Sequence, residues 1–279
     1  MPHAVDCHEI LQVALSAAER ASAIAREQRE SFTVSVSFKE ARNLVTTADL
    51  ACEKAIIETI RARYPEHAIL AEESANSITP QQCASGPLWI IDPIDGTTNY
   101  AHGHHQVGIS IAFAVDSKVL VGVVAAPFVD ETFTAVKGQG AFCNGKKIHV
   151  RQVAQIDDAL IATGFPYRRG NLKNICGRVE RVLERCRDLR RIGAASLDIS
   201  WVACGRLDAF FEETLNPWDI AAAALIATEA GAQIGHFPYD CDSQRVTEKY
   251  TGDLFADNLF VSSPGCFAQL RELLSKPEM

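Results

Sequence analysis

The sequence predicts a mixed fold of the α+β and α/β classes, because a strand-rich first half precedes a half in which strands and helices alternate. Three apolar stretches joined by short polar links lie between residues 107 and 136, a pattern typical of strands that pair with their neighbours in sequence. After residue 150 short apolar stretches alternate with helical patterns, which indicates α/β layering. We therefore predict an α+β part at 1–150 and an α/β part at 151–279.

The first part is predicted to begin with two helices and to continue as strands. Apolar residues recur at helical spacing over 6–29 and again over 47–63, where Tyr64-Pro65 ends the second helix. Between them, residues 32–38 alternate apolar and polar side chains with the period of two of a strand. Further apolar strands are expected at 68–71, 88–91, 107–115, 119–125 and 131–136.

The second part is predicted to alternate strands with helices. The strands are expected at 159–163, 189–192 and 207–211, and the helices at 172–186, 195–204 and 217–230. The last helix has the clearest ends, since Asn216 is a good N-cap, Pro217 suits the first helical position and Gly231 suits the C-terminal end.

Composition is that of a soluble globular protein and argues against several functions. Hydrophobic residues make up 47% and charged residues 22% of the 279 positions. The net charge of −8 and the lack of a long Lys/Arg run argue against nucleic-acid binding. No apolar stretch reaches the ~20 residues of a membrane span, no signal-peptide pattern opens the chain, and none of the nine cysteines forms a C-x-x-C pair. We expect a cytoplasmic protein with reduced thiols.

The most informative stretch is residues 89–99, Trp-Ile-Ile-Asp-Pro-Ile-Asp-Gly-Thr-Thr-Asn. An apolar strand runs into a turn that carries two carboxylates, Asp92 and Asp95. Pro93 lacks an N–H and is expected to stop the strand ladder. Gly96 permits a tight turn, after which successive N–H groups can face an anion. The loop thus offers metal ligands and phosphate donors together, although Asp, Pro and Gly also occur in plain turns.

Three further acidic elements accompany this loop, and each has a plainer alternative when taken alone. Glu72 and Glu73 follow an apolar strand, at the sheet edge where α/β proteins usually bind ligands, although such a pair also occurs in solvated loops. Asp49 and Asp219 each lie in the opening turn of a predicted helix. A carboxylate there complements the helix dipole, so both are alternatively capping residues.

The four acidic elements are explained together by a bound cation. Hydrolysis of a phosphate monoester requires neutralisation of its oxygens and activation of a water molecule, and Mg²⁺ does both with carboxylate and carbonyl ligands. Carboxylates crowded at ~4 Å repel each other by about 4 kcal/mol at an effective dielectric constant of about 20, so without a cation some would take up protons. A bound Mg²⁺ also makes a pocket of an acidic protein attractive to phosphate. We predict that Glu72, Asp92, Asp95 and Asp219 hold it.

These motifs resemble those of the inositol monophosphatase family, which belongs to a wider group with fructose-1,6-bisphosphatases and bisphosphate nucleotidases. Residues 89–99 resemble the first motif of the family, and Pro-Trp-Asp-Ile-Ala-Ala-Ala at 217–223 resembles the second. Lesser matches, which extend the resemblance over nearly the whole chain, lie at 44–49, 140–145, 193–198 and 208–212. The resemblance implies a layered αβαβα sandwich and a homodimer.

The resemblance also implies roles for individual residues, with two or three Mg²⁺ ions in the site. The implied metal ligands are Glu72, Asp92, the carbonyl of Ile94, Asp95 and Asp219, with Glu73 acting through water. The implied catalytic residues are Asp49, Thr97, Glu72 and Asp95, of which Thr97 and Asp49 orient and deprotonate the attacking water. The implied substrate contacts are the N–H groups of Gly96 and Thr97 for the phosphate, and Gly193, Ala194, Ala195, Glu212 and Asp219 for the alcohol portion.

The activity that the resemblance implies is that of a lithium-sensitive inositol-phosphate phosphatase acting on a small phosphate monoester. Relatives also hydrolyse histidinol phosphate, fructose-1,6-bisphosphate and nucleotide 3′-phosphates, and the sequence does not rank these substrates. Some bacterial relatives associate with the transcription machinery or RNA. The acidic charge and the lack of an RNA-binding motif argue against that role here, except as an addition to catalysis.

Two departures from the family pattern flank the acidic loop. Ala71 stands where glycine usually precedes the two glutamates, and His104-His105 replaces a stretch that usually reads Gly-Phe-Pro or similar. With His102 these residues form a small histidine cluster, for which a zinc site is an alternative interpretation. Since no cysteine or acid joins the cluster at ligand spacing, we interpret it as surface loop near the cleft or the dimer contact. The change leaves substrate selectivity open.

Overall fold

Two helices, α1 (Cys7–Glu30) and α2 (Thr47–Arg63), form the first layer of the structure, a computed structural model that describes residues 6–31, 36–40, 43–75, 78–166, 172–238 and 250–276. Asp6 caps α1, because its carboxylate accepts hydrogen bonds from the N–H groups of His8 and Glu9. Both helices pack on each other and bury alanine and isoleucine side chains. The prediction of both helices is confirmed.

An antiparallel pair, β1 (Val36–Glu40) and β2 (Asn43–Thr46), precedes α2. The strand predicted over 32–38 overlaps β1 at 36–38, and its remainder, 32–35, lies outside the described residues. The sequence did not predict β2, which is four residues long and leads directly into the helix that follows.

The larger sheet has seven strands in sequence order: β3 (Ala68–Ala71), β4 (Pro87–Asp95), β5 (Gly108–Val115), β6 (Lys118–Ala126), β7 (Glu131–Val136), β8 (Ala141–Cys143) and β9 (Lys146–Ile148). Only the β3–β4 pair in it is parallel. The prediction that Pro93 stops the hydrogen-bond ladder of the strand was wrong, because the pairing with β5 resumes after it. Strand β4 continues to Asp95 through a register shift between Asp92 and Asp95, so the irregularity is a bulge.

The second sheet has five strands: β10 (Leu160–Thr163), β11 (Asp188–Arg190), β12 (Ala209–Glu212), β13 (Gln233–His236) and β14 (Leu259–Ser262), in the order β11-β10-β12-β14-β13. Strand β10 runs parallel to β11 and β12, whereas β14 runs antiparallel to its neighbours. The sequence predicted the first three strands within about two residues at each end and missed β13 and β14.

Four longer helices accompany this sheet: α5 (Leu172–Leu183), α6 (Ala195–Ala203), α7 (Pro217–Glu229) and α8 (Pro264–Ser275). The sequence missed α8, and α5 ends three residues before the predicted end because the chain turns at 184–187. Two short helices, α3 (Pro80–Ala84) and α4 (Thr97–Ala101), lie on either side of β4 and were also not predicted.

The layers follow from what each helix covers. Helices α1 and α2 cover one face of the larger sheet, α6 and α7 lie between the two sheets, and α5 and α8 form the outer layer. Helix α7 approaches β6 closely at Gly122, where a Cβ would lie 2.6 Å from the carbonyl oxygen of Ala222. This arrangement is the predicted αβαβα sandwich. A division of the chain at residue 150 stays a prediction.

No helix in the described ranges has both the length and the apolar character required to span a bilayer.

Candidate active site

A sharp turn joins β4 to α4 and presents the residues of the 89–99 stretch. Gly96 caps α4 with a φ of +89°, in the left-handed region that favours glycine. A Cβ at this position would lie 3.0 Å from the carbonyl oxygen of Gln106 and 3.1 Å from that of Gly193. The turn therefore needs glycine for its conformation and for the close approach of the 193–195 segment.

Asp95 connects this turn to the start of α6. Its carboxylate accepts hydrogen bonds from the N–H of Ala195 at 3.2 Å, from the N–H of Ser196 at 2.7 Å and from the Ser196 hydroxyl at 2.5 Å. Burial raises the pKa of Asp95 to about 6, and the hydrogen bonds from Ser196 oppose that shift. Residues a hundred positions apart in sequence are thus held together at this acid.

Asp92 is a buried acid on which several other carboxylates act. Its Oδ1 accepts a hydrogen bond from the N–H of Ile94 at 3.1 Å. Burial first, and then the charges of Glu72, Asp95 and Asp219, raise its pKa well above the ordinary value. The structure therefore brings the four predicted ligands, hereafter the acidic cluster (Glu72, Asp92, Asp95 and Asp219), within electrostatic reach of one another.

Asp219 belongs to the cluster and caps a helix as well. Its Oδ2 accepts a hydrogen bond from the N–H of Asn216 at 2.6 Å, which completes a capping box at the start of α7. Burial and the charge of Glu72 raise its pKa well above the ordinary value. The capping alternative is therefore correct for Asp219, and it does not exclude a role in the cluster.

The donor chemistry of the cluster fits a hard divalent cation. Within the described residues, no three His, Cys, Asp or Glu side chains already surround one point in the arrangement of a metal site. The cluster nevertheless supplies carboxylate oxygens beside the carbonyl of Ile94, which are the donors that Mg²⁺ prefers. The charges that raise the pKa of Asp92 are all carboxylates, so a bound cation would relieve a repulsion already present.

Thr97 and Asp49 meet beside the cluster. The Thr97 hydroxyl oxygen lies 3.1 Å from Asp49 Oδ1 and 3.1 Å from the carbonyl oxygen of Ile94, so its single proton can be donated to either. Asp49 also completes a capping box at the start of α2, where its Oδ2 accepts hydrogen bonds from the N–H and hydroxyl of Thr46. Burial raises the pKa of Asp49, and these hydrogen bonds oppose the shift.

The other predicted contacts form a second side of the site, hereafter the Glu212 side (Gly193, Ala194, Ala195 and Glu212). Gly193 has a φ of +93°, and a Cβ there would lie 2.2 Å from Arg191 Nη1. The residue Glu212 is half-buried at the end of β12, yet burial of its carboxylate raises its pKa to about 8, against the opposing charge of Arg191. Its charge acts on Asp219, so the two sides adjoin.

Sequence reasoning missed three residues that shape the site. Ser196 is the strongest donor to Asp95, and Gly164 makes room for Glu212, since a Cβ on it would lie 1.8 Å from Glu212 Oε2. Asp198 is buried with its Oδ1 lacking a hydrogen-bond partner. Ser196 and Asp198 lie in the 193–198 match, which was the available signal. Gly164 has none, because its role depends on a residue 48 positions away.

Glu73 and the histidines lie at the periphery. The N–H of Glu73 donates to Glu53 Oε2 at 2.9 Å, and its predicted contribution through water stays a prediction. His102, His104 and His105 are exposed, and the ring of His105 stacks 6.2 Å from that of Phe128.

A cleft of about 600 Å³ lies beside Asn99, and no member of the acidic cluster lines it. Its lining residues include Asn99, His104, Gln106, Arg190, Arg191 and Trp201.

Fold and site together define a class of protein: a layered αβαβα sandwich in which buried carboxylates and a Thr–Asp pair meet beside a left-handed glycine turn. The chain belongs to the inositol monophosphatase family, whose profile matches residues 6–263. The family comprises phosphatases of phosphate monoesters that generally depend on metal ions, and this chain shares that enzyme class.

Individual relatives agree with this assignment. Inositol monophosphatase 2 of Solanum lycopersicum is 38% identical over 262 residues, which cover 90% of this chain and 98% of the relative. Nus factor SuhB of Escherichia coli (strain K12) is 39% identical over 235 residues, covering 82% and 86% respectively. The crystal structure of extragenic suppressor protein suhB from Bartonella henselae has a TM-score of 0.83 at 29% identity, covering 97% of this chain and all of that chain. The predicted family resemblance is confirmed.

Proposed function

We propose that this chain is a Mg²⁺-dependent phosphatase that hydrolyses inositol monophosphate or a similar polyol phosphate. The observation that carries the proposal is the acidic cluster, in which burial and then neighbouring carboxylates raise the pKa of Asp92 and of Asp219, beside the hydrogen-bonded pair of Thr97 and Asp49. Two or three ions, sensitivity to lithium, a cytoplasmic location and a homodimer belong to the same proposal and are supported by family membership.

The metal would be held by the four side chains of the acidic cluster and the carbonyl oxygen of Ile94. When bound, Mg²⁺ neutralises phosphate oxygens and lowers the pKa of a coordinated water. Glu73 lies next to this donor set and would act through an intervening water. The buried position of Asp92 and Asp95 limits access of bulk water, which strengthens every charge interaction in the site.

The proton path runs through Thr97. Its hydroxyl oxygen lies 3.1 Å from Asp49 Oδ1, so this oxygen can accept a proton from the attacking water as its own proton passes to Asp49. The negative charge of Asp49 favours that transfer, and Thr46 holds the carboxylate in place. The N–H groups of Gly96 and Thr97, at the start of α4, would bind the phosphate.

The Glu212 side would bind the alcohol portion of the substrate. Gly193, Ala194 and Ala195 carry no long side chain and leave room for a sugar-like ring, while the carboxyl groups of Glu212 and Asp219 would form hydrogen bonds with its hydroxyl groups. A site built to pair with hydroxyl groups rejects alcohols that lack them.

A phosphate-release panel tests the proposal. The wild-type chain would be assayed with Mg²⁺, with and without lithium, on inositol monophosphate, histidinol phosphate, fructose-1,6-bisphosphate and a nucleotide 3′-phosphate. We expect the fastest release from inositol monophosphate and its loss in Asp95→Asn. The matched control is Asp157→Asn, an aspartate whose side chain is 69% exposed. Release from none of the substrates, or full activity of Asp95→Asn, would contradict the proposal.

A second function, binding to the transcription machinery or RNA, is supported by the Escherichia coli relative named Nus factor SuhB. A pulldown at physiological salt with wild type and Asp95→Asn tests it. Capture of a transcription component or RNA by both proteins is the expected result if the role is independent of catalysis. Failure to recover either class of partner would contradict it.

A further inference from the structure

We propose that Arg178 is a positioning residue that acts through Glu213 to hold Glu212 and the turn that follows it, and so controls recognition of the alcohol portion. The inference rests on the proposed function. It concerns the outer layer of the sandwich, which contributes none of the residues discussed so far.

Arg178 occupies a position of α5 where an apolar residue is expected. The buried side chains of this helix are Ile175, Arg178 and Val182, which share one face at helical spacing. A guanidinium group in such a position loses its hydration, a cost that is offset only when charged and hydrogen-bonding partners surround it. The presence of arginine on this buried face therefore indicates a partner that requires it.

That partner is Glu213, with which the guanidinium Nη1 forms an ion pair. Two further contacts hold the guanidinium group: its Nε donates to the carbonyl oxygen of Leu274 at 3.4 Å, and its Cζ lies 5.1 Å from the ring centre of Phe237. Only 5% of the Arg178 side chain and 17% of the Glu213 side chain are exposed. The pair is shielded from water and thus fixes Glu213 more firmly than a surface pair would.

Glu213 lies at the junction between two candidate site residues. It follows Glu212 at the end of β12, and the segment 213–216 leads into α7, whose first turn carries Asp219. Thr214 in this segment has a φ of +59°, a conformation that β-branched residues adopt only when the surroundings impose it. The ion pair with Arg178 constrains the backbone at Thr214, because it holds the preceding residue, Glu213, against helix α5 in the outer layer.

Charge gives the pair a second effect on Glu212. Burial is the main cause of the raised pKa of Glu212, and the negative charge of Glu213 adds to that rise. The guanidinium of Arg178 compensates the Glu213 charge at close range. Loss of Arg178 alone would therefore remove a compensating positive charge from Glu213, beside Glu212, as well as a constraint on the turn.

The test uses the double variant Arg178→Met/Glu213→Met, which removes both charges and keeps apolar bulk at each position. Two substrates are compared: inositol monophosphate, and p-nitrophenyl phosphate, whose alcohol portion carries no further hydroxyl groups. We expect KM for inositol monophosphate to rise about tenfold with kcat within about threefold, because alcohol contacts are weakened while the acidic cluster is untouched. Both parameters for p-nitrophenyl phosphate should change less than about twofold.

Two controls separate positioning from general damage. Arg178→Lys keeps the positive charge, and its KM for inositol monophosphate should stay within about threefold of the wild-type value. Arg151→Met removes an arginine that pairs at 3.0 Å with Asp208, at the opposite end of the β12 region, and should leave KM for both substrates unchanged. Melting temperatures of all variants show whether the fold is retained.

The outcomes distinguish the inference from the proposed function. An active wild type whose double variant has unchanged KM, or loses activity equally on both substrates, contradicts the inference alone. A wild type that releases phosphate from neither substrate contradicts the proposed function and the inference with it.

Discussion

The two sides of the site are built in different ways. The acidic cluster and its Thr–Asp pair take half of their residues, Asp92, Asp95 and Thr97, from one continuous stretch at the end of β4. The Glu212 side is assembled from separate segments at 164, 193–195 and 212. Half of the residues proposed for phosphate chemistry are therefore encoded in one local stretch, whereas those proposed for alcohol recognition depend on how distant elements pack.

The electrostatics of the two sides differ in the same way. On the acidic cluster, burial and neighbouring carboxylates together raise the pKa of Asp92. On the Glu212 side, burial raises the pKa of Glu212 and the positive charge of Arg191 opposes it. The first side therefore favours a bound cation, as proposed, while the charge on the second is already balanced in part by Arg191. Changes on the first side should affect turnover, and changes on the second side should affect substrate affinity.

Asp92→Asn should have the largest effect. The amide removes one charge from the acidic cluster but keeps an oxygen that can accept the hydrogen bond from Ile94. We expect kcat to fall by about a thousandfold, because metal binding and neutralisation of the phosphate are both weakened. Steady-state phosphate release checks this, with Asp157→Asn as the exposed control. A variant that changes KM alone would break the comparison between the two sides.

Thr97→Val should follow, with kcat lower by about a hundredfold. Valine keeps the branched shape and removes the hydroxyl that donates to Asp49. The neighbouring residue Thr98 is exposed on the same short helix, so Thr98→Val is a matched control that should retain kcat. Equal activity of the two variants would show that the Thr97 hydroxyl takes no part in proton transfer.

Gly164→Ala should act on the Glu212 side only. The new Cβ would occupy the position of the Glu212 carboxylate, and because a side chain can move aside, the fold should survive while Glu212 is displaced. We expect KM for a polyol phosphate to rise about tenfold with kcat nearly unchanged. Combining the change with Glu212→Asp, whose shorter side chain relieves the contact, should recover part of the affinity. A loss of kcat with unchanged KM would contradict the division between the two sides.

Glu212→Gln should have the smallest effect, seen in the pH dependence of stability without divalent ions. The pKa of Glu212 in the folded chain is about 8, above its ordinary value of 4.5. Its contribution is therefore fully present below about pH 4.5 and is lost as the pH rises through about 8, with a slope of at most about 1.4 kcal/mol per pH unit. Urea unfolding from about pH 5 to about pH 9 should show a flatter decline in the variant.

The control for this measurement is Glu272→Gln, which changes an acid whose side chain is 71% exposed. It should keep the wild-type slope. A Glu212→Gln variant with the wild-type slope would show that Glu212 is ionised in the folded chain at neutral pH.

Local signals explain what the sequence predicted well. The bounds of α2, β3 and β7 were predicted to the residue, because capping residues, a terminating proline and apolar runs mark those ends in the sequence itself. The site residues 92–97 were predicted for the same reason, since their chemistry is contained in one turn. Asp49 and Asp219 were predicted both as caps and as site residues, and the capping role is present in each case.

The features that were missed depend on contacts across the fold. Strand β13 is half-buried and reads Gln-Ile-Gly-His, a pattern without clear alternation, so only its pairing with β14 defines it. The pair of Arg178 and Glu213 joins residues 35 positions apart. No motif around either residue predicts that the two are in contact. The bulge at Pro93 was missed because a proline shows only that one backbone N–H donor is absent from the strand. It does not show whether strand pairing resumes after that position.

The position of a bound divalent cation tests most directly whether the acidic cluster holds the metal. Crystals of the wild-type chain soaked in Mn²⁺, an anomalous scatterer that accepts the same oxygen ligands as Mg²⁺, would be measured by anomalous diffraction. We expect a peak coordinated by carboxylate oxygens of Glu72, Asp92, Asp95 and Asp219. Anomalous peaks found only elsewhere on the chain, with these four side chains bonded to protein donors alone, would contradict this expectation.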